Sequence, residues 1–316
     1  GFRGAARCDL GDPGGIDDMR KSLELVLQRG ETDAAGSSYI NLGDAVWINE
    51  GPIEGLKVHR EGIEFCARRG AISSVMWGRA ETAWMLYDTG EWDDVITATD
   101  EVAAWVEAGG TGAAGLVAPA FKARVMLLRG NVAAAGQINQ DLLPLVRRIG
   151  DAQVLGPALV TAALWELAAR NTARAAQLAY EFVEVAGDAP VYICWQMMDT
   201  ARVFVSAGEA DAMATIIERV RPGLTRDRYS VVAARAIVAE ARGQFDDALK
   251  LFLEAARNWE SFPMALEHAH ALFGAGRCLI ALGRAEEAPE HLEKARAIFG
   301  SLGALPLVAE VDSFAP

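Results

Sequence analysis

Positive charge is in short supply in this 316-residue chain, with 30 Lys and Arg against 43 Asp and Glu and a formal net charge of −13. Phosphates would be repelled over most of such a surface, so general nucleic-acid binding is excluded. Histidine is scarcer still, with four copies. His268 and His270 are two positions apart, so they point to different helix faces and cannot share a metal as an i, i+4 pair could. His59 and His291 stand alone and are read as solvated surface residues. The four cysteines, Cys8, Cys66, Cys194 and Cys278, form no Cys-x-x-Cys and no Cys/His cluster. They are expected to be reduced, structural thiols of a reducing compartment. The dipeptide Gly-Lys never occurs, which excludes a phosphate-cradling P-loop. No apolar run can span a bilayer, because the most apolar stretch, 154–167, is short and interrupted by Thr161 and Glu166. Nor does any segment alternate with the period of two that marks a half-buried strand. No Ser/His/Asp or Cys/His grouping can be assembled from spacing. The chain is therefore expected to be no enzyme, with no catalytic residue, metal or cofactor. It opens at Gly1-Phe2-Arg3 without a secretory leader. A cytoplasmic piece of a larger protein is the expectation.

What is present in quantity is apolar surface and helix-forming residues. Residues of apolar type make up 52% of the chain, dominated by Ala, Leu and Val beside Glu and Arg. Helix-stopping turns recur at Gly14, Gly51, Gly90, Gly130, Asn171, Gly208, Gly243 and Gly283, at intervals of 35 to 41 residues. Four of the glycines are followed by one free position, an apolar or small residue and two acids. The phrases are Gly15-Ile16-Asp17-Asp18, Glu91-Trp92-Asp93-Asp94, Gln244-Phe245-Asp246-Asp247 and Arg284-Ala285-Glu286-Glu287. Glycine suits a helix end that needs one left-handed residue, and Asn171 is the next most tolerant choice. The acids then fall in the first turn of the following helix, where unpaired N–H groups and the dipole favour them. The acidic pairs also look like pieces of the aspartate-rich magnesium motif of isoprenoid-synthase enzymes. Their common repeat phase is explained by helix starts, which leaves a helical-toroid enzyme as the remote alternative.

A period near 38 predicts an all-α, right-handed superhelix (solenoid) of about seven antiparallel helix pairs, read as a single domain over 1–316. The expected A/B pairs are 34–50 with 52–69, 73–89 with 92–108, 115–129 with 132–149 and 154–169 with 172–187. They continue as 191–207 with 209–221, 229–242 with 246–259 and 265–282 with 284–300. Residues 16–29 read as a B helix whose A partner is missing, and 305–311 as a short closing helix. The apolar stripe of that unpaired helix, Ile16, Met19, Leu23 and Val26, suggests a self-association scaffold as an alternative function, with a homo-oligomer as its product.

The last two pairs resemble tetratricopeptide repeats. Gly243, Phe245, Ala248, Phe252 and Ala255 fit the pattern of a turn glycine, an aromatic and spaced alanines. Gly276, Gly283, Ala288, Leu292 and Ala295 fit the next unit, with Gly276 where helices A and B cross closely. Earlier units keep only the turn and the amphipathicity, and Ile63 and Val102 stand where the second alanine belongs. The long period, the phrase Gly11-Asp12-Pro13-Gly14-Gly15 and the unit containing Gly51, Gly55, Glu61-Gly62 and Arg68-Arg69-Gly70 resemble the helical C-terminal half of large bacterial signalling ATPases. These include maltose-regulator-like LuxR regulators and actinobacterial ATPases joined to class III adenylate cyclases. The resemblance implies a sensing and coupling arm of a signalling or transcription-regulating protein, with an N-terminal ATPase of the parent chain as one partner.

In arrays of this kind the A helices line a concave face. Counting back six residues from each turn gives a comparable inward position: Ala45, Trp84, Arg124, Trp165, Arg202, Ile237 and Arg277. Earlier turns of the same helices add Trp77, Trp195, Met198, His270 and Phe273, and Tyr87 lies one turn later. The expected groove is therefore Trp77, Trp84, Tyr87, Arg124, Trp165, Trp195, Met198, Arg202, His270, Phe273 and Arg277. Arginine offers a fork for a carboxylate or phosphate, and the aromatics offer flat area at little entropic cost. Such a groove would suit a protein or peptide segment, or a small anionic or aromatic effector. Each residue also has a structural reading. The tryptophans could be packing between repeats, and the arginines could be paired with acids such as Glu81 and Asp88.

Overall fold

The computed structural model describes residues 1–110, 113–187 and 190–314, and every regular element among them is helical. In chain order the helices are α1 (Phe2–Asp9), α2 (Gly14–Arg29), α3 (Thr32–Glu50), α4 (Pro52–Ala67), α5 (Ile72–Thr89), α6 (Trp92–Glu107), α7 (Ala114–Val117) and α8 (Pro119–Leu128). They continue as α9 (Val132–Ile149), α10 (Ala152–Ala168), α11 (Thr172–Ala186), α12 (Pro190–Trp195), α13 (Met197–Ser206) and α14 (Ala210–Arg219). The last are α15 (Thr225–Ala241), α16 (Phe245–Ser261), α17 (Ala265–Ala281), a 3₁₀ turn (Ala285–Glu287), α18 (Ala288–Leu302) and α19 (Leu305–Asp312). The contacts gather into two units. Unit 1 comprises Gly1–Lys122 with Pro222–Arg226, and unit 2 comprises Ala123–Arg221 with Asp227–Pro316.

Most turn glycines behave as their chemistry requires, Gly90 closing α5 at a φ of 92° and Gly243 following α15 at 71°. The fifth turn differs in register. Arg170, not Asn171, takes the left-handed conformation at a φ of 63°, and the Asn171 side chain instead accepts from the Arg174 N–H at 3.4 Å to cap α11. Asn131 caps α9 in the same way, accepting from Ala134 N–H at 3.3 Å. Asparagine at these turns is serving as an N-cap, one residue after the turn. Gly14 also departs from expectation, because it opens α2 rather than ending a helix. The acidic pairs Asp93-Asp94 and Asp246-Asp247 do sit in the first turns of α6 and α16, where the helix dipole explains them. Two expected A helices are interrupted. Pro119 splits 115–129 into α7 and α8, and Gln196 separates α12 from α13.

Unit 1 buries a run of aromatic rings. Trp84 lies 5.5 Å from Trp47 and 4.5 Å from Phe121, and Tyr87 stacks on Trp92 at 5.9 Å. Asp88, itself buried, accepts from Trp47 Nε1 at 2.8 Å and pairs with Arg226 at 3.5 Å, while Arg226 covers the Trp47 ring at 4.8 Å. The decayed alanine position is compensated locally. Ile63 packs against Gly78, where an added Cβ would come within 2.9 Å of the isoleucine. The helix expected to lack a partner has a short one, since α1 packs on α2 so closely that a Cβ on Gly4 would meet the Gly15 carbonyl at 2.6 Å. Ile16, Met19 and Leu23 are buried, and Val26 packs against the cluster around Phe65 and Val75. That stripe is consumed inside unit 1 and offers no face for self-association. His59 is also a correction: it is buried, with Nε2 3.1 Å from Asp44 Oδ1, rather than solvated.

Unit 2 closes with the most regular repeats. Ala248, Phe252 and Ala255 of α16 and Ala288, Leu292 and Ala295 of α18 are all buried, and a Cβ on Gly276 would lie 2.5 Å from Leu292. A small residue is therefore obligatory at that crossing of α17 and α18. All four cysteines of the chain are buried. Burial pushes the Cys278 thiol up to about 12 and raises that of Cys66, which keeps both un-ionised at neutral pH.

Candidate ligand-binding pocket

Three helices of unit 2 and the closing helix bring one set of expected residues together. Arg202 of α13, Ile237 and Glu240 of α15, and Glu267, His270, Phe273 and Arg277 of α17 line a cavity of about 370 Å³, with Glu310 of α19 at its edge. Glu267, His270, Phe273 and Arg277 repeat at three and four residues, so α17 turns one continuous face to the space. Phe273 and Phe252 give the cavity an apolar lining, and Ser206 and Ala241 are exposed at its mouth.

Both guanidiniums are already engaged. Arg277 donates to both Glu240 oxygens at 2.7 Å and lies 4.3 Å above the Phe273 ring. Arg202 donates to Asp199 at 2.8 Å and makes a two-pronged contact with Glu267, one arm at 2.9 Å. Fork-to-carboxylate pairing of this kind is geometrically specific, and stripping one partner leaves a charge uncompensated. Burial alone opposes the charged form of Arg202, yet Glu267 and Asp199 outweigh it and hold its pKa above the ordinary arginine value. His270 responds in the opposite sense. Burial, then repulsion from Arg202 and Arg277, holds its pKa well below the usual 6.5, so the ring is neutral. Its edge meets Phe299 at 5.1 Å, and no hydrogen bond to another described residue engages its nitrogens. A neutral imidazole there can donate from one nitrogen and accept at the other.

The remaining expected residues lie elsewhere. Arg124 is 3% exposed and locked inside unit 2, donating to Thr161 Oγ1 at 3.0 Å, Asp199 Oδ2 at 2.9 Å and Gln196 Oε1 at 2.8 Å. It connects to the pocket through Asp199, which it shares with Arg202. Met198 is buried core, and Trp195 sits on α12, where the break at Gln196 detaches it from the face of Arg202, its edge against Tyr192 at 5.7 Å. Trp165 was placed by counting from Asn171. With the turn at Arg170 it is one residue, or about 100°, off the inward row. It packs instead on α9, donating to the Val132 carbonyl at 3.0 Å and covering Gly136.

In unit 1, Trp84 and Tyr87 are core, at 2% and 7% exposure. Trp77 is half-buried beside a second cavity of about 470 Å³, lined by Ser37, Asn41, Ser73, Ser74 and Trp105 among others. The acidic members of the unit 2 pocket, Glu240, Glu267 and Glu310, were missed because an acid on a helix usually reads as a solvated face. Their only signal is position, since Glu240 and Glu267 are three residues along the helix from Ile237 and His270. Among the described residues no group of His, Cys, Asp and Glu could hold a metal ion, and no helix is long and apolar enough to cross a membrane.

Comparison with known proteins agrees with the local pattern. Residues 229–301 match the tetratricopeptide repeat family, the stretch that supplies α15 to α18 and most of the pocket wall. The crystal structure of yeast Tom70 is a structural neighbour at 12% identity and a TM-score of 0.43. The alignment covers 96% of this chain, which spans 60% of that one. A comparison with curated proteins gives no match.

Proposed function

We propose that this chain is a non-enzymatic interaction domain whose unit 2 pocket receives part of a protein or peptide segment, or a small effector. One observation carries the reading. A cavity large enough for a bulky side chain lies within repeats of a family built for concave binding surfaces, and its walls combine aromatic area with a neutral, unsatisfied imidazole. The resemblance to bacterial signalling ATPases supports a place beside an ATPase in a cytoplasmic regulator. Ligand occupancy would then be passed on by biasing the packing of neighbouring repeats. An anionic effector is disfavoured in this pocket, because Glu240 and Glu267 each already hold one edge of a guanidinium and, with Glu310, outnumber the two arginines.

Selection of peptides from a random display library on the full chain tests the proposal. The selected binders should be lost on blocking the pocket mouth with Ala241→Trp or Ser206→Trp, both exposed positions that leave the core untouched. Binders indifferent to both blocks, or no binders at all, would refute it.

A further inference from the structure

We infer that the unit 2 pocket selects a ligand group joining an apolar body to a positive charge, as a basic peptide side chain would present. The inference rests on the pocket being the binding site and adds the sign of its partner. Its charged lining is two cations against three carboxylates, Arg202 and Arg277 against Glu240, Glu267 and Glu310, with His270 uncharged. The two inner carboxylates each occupy one edge of a guanidinium, Glu240 on Arg277 and Glu267 on Arg202, which offsets the positive charge an anion would meet. Glu310 is different. It is exposed on α19, Arg277 feels its charge, and no ion pair with a described residue occupies its carboxylate. A ligand entering over Leu307 and Ile237 would bury its apolar part against those side chains and bring its charge to Glu310. The His270 ring, held neutral, adds no repulsion toward such a cation and can accept a hydrogen bond from it. The chain as a whole carries −13, which draws a basic partner and repels an acidic one before contact.

Two probes of matched shape separate the signs. Phenethylamine and 3-phenylpropanoate differ only in their charged end, and their affinities for the full chain can be compared by ligand-detected NMR titration at low salt. Phenethylamine should bind about threefold to fivefold more tightly, a difference of the size expected for one partly exposed charge pair. Glu310→Gln should abolish that preference, and Ala241→Trp should abolish both binding events. Equal or tighter binding of 3-phenylpropanoate overturns the inference while leaving the pocket as a site. Failure of both probes to bind in a manner sensitive to Ala241→Trp overturns the pocket assignment, and the charge preference with it.

Discussion

Units 1 and 2 are built from the same helix pairs yet put different chemistry at the same place in the repeat. Six residues before a turn, unit 1 carries Ala45 and Trp84, whose neighbours Trp47, Tyr87 and Phe121 seal them away. At that position unit 2 carries Arg124, enclosed by buried acceptors, Trp165, packed on α9, and Arg202, Ile237 and Arg277, which line an open cavity. Aromatic rings close a surface by contact alone. Arginines stay only where carboxylates arrive from another helix, and such pairs leave polar edges that do not pack densely. Around Arg202 and Arg277 a cavity remains, whereas the rings around Trp84 pack into core. One ionisable group in each unit is shifted in the opposite sense. Unit 1 buries the acid Glu81, raised well above its ordinary value by burial and by Asp44, whereas unit 2 buries the base His270, depressed.

The contrast can be broken experimentally, and the largest effect belongs to the ring core. Trp84→Ala should destabilise the protein by about 3–5 kcal/mol in urea unfolding while leaving phenethylamine affinity unchanged under folding conditions. Weakened binding at unaltered stability would return Trp84 to a binding surface. Arg124→Met should cost about 3 kcal/mol, since Asp199 loses one of its two guanidiniums, and the added Asp199→Leu should recover part of that loss. Strict additivity of the two changes would show that no shared network exists.

Glu240→Gln should cost about 1.5 kcal/mol and free one fork of Arg277, raising the affinity for 3-phenylpropanoate. An unchanged probe ranking would show that Arg277 is not what excludes anions. The smallest effects are pH slopes of opposite sign, each at most about 1.4 kcal/mol per pH unit. For Glu81 the native carboxyl holds its proton more tightly than the unfolded one. Its contribution is full below the ordinary glutamate range and is lost as pH rises through the shifted value. For His270 the native ring binds its proton less tightly, so its contribution is present above 6.5 and is lost as pH falls below it. Urea midpoints against pH should flatten on the neutral side in Glu81→Gln and on the acidic side in His270→Gln. Identical profiles in both variants would remove the distinction between the units.

Helix pairs and turns were legible because their causes are local. Glycine before an acidic first turn needs no distant partner to be favourable. Legibility ended where one residue of register mattered. The misplaced turn at Asn171, with Arg170 taking the left-handed angle, carried Trp165 off the inward row. His59 read as solvated because nothing nearby in sequence says that Asp44 and the close helix crossing at Gly43 await it. Arg202, His270, Phe273 and Arg277 fall along one cavity because the last repeats keep regular spacing, and an unbroken spacing carries a face from one turn to the next.

From its residues alone this chain determines an all-helical array with its hinges in place, since capping, dipole and left-handed angles act within a few residues. Which inward side chains become core and which line a cavity was decided only on folding. Arg124 meets Asp199 across 75 residues of sequence, and Arg202 meets Glu267 across 65. Desolvation depends on what arrives from so far away, and no local pattern encodes it.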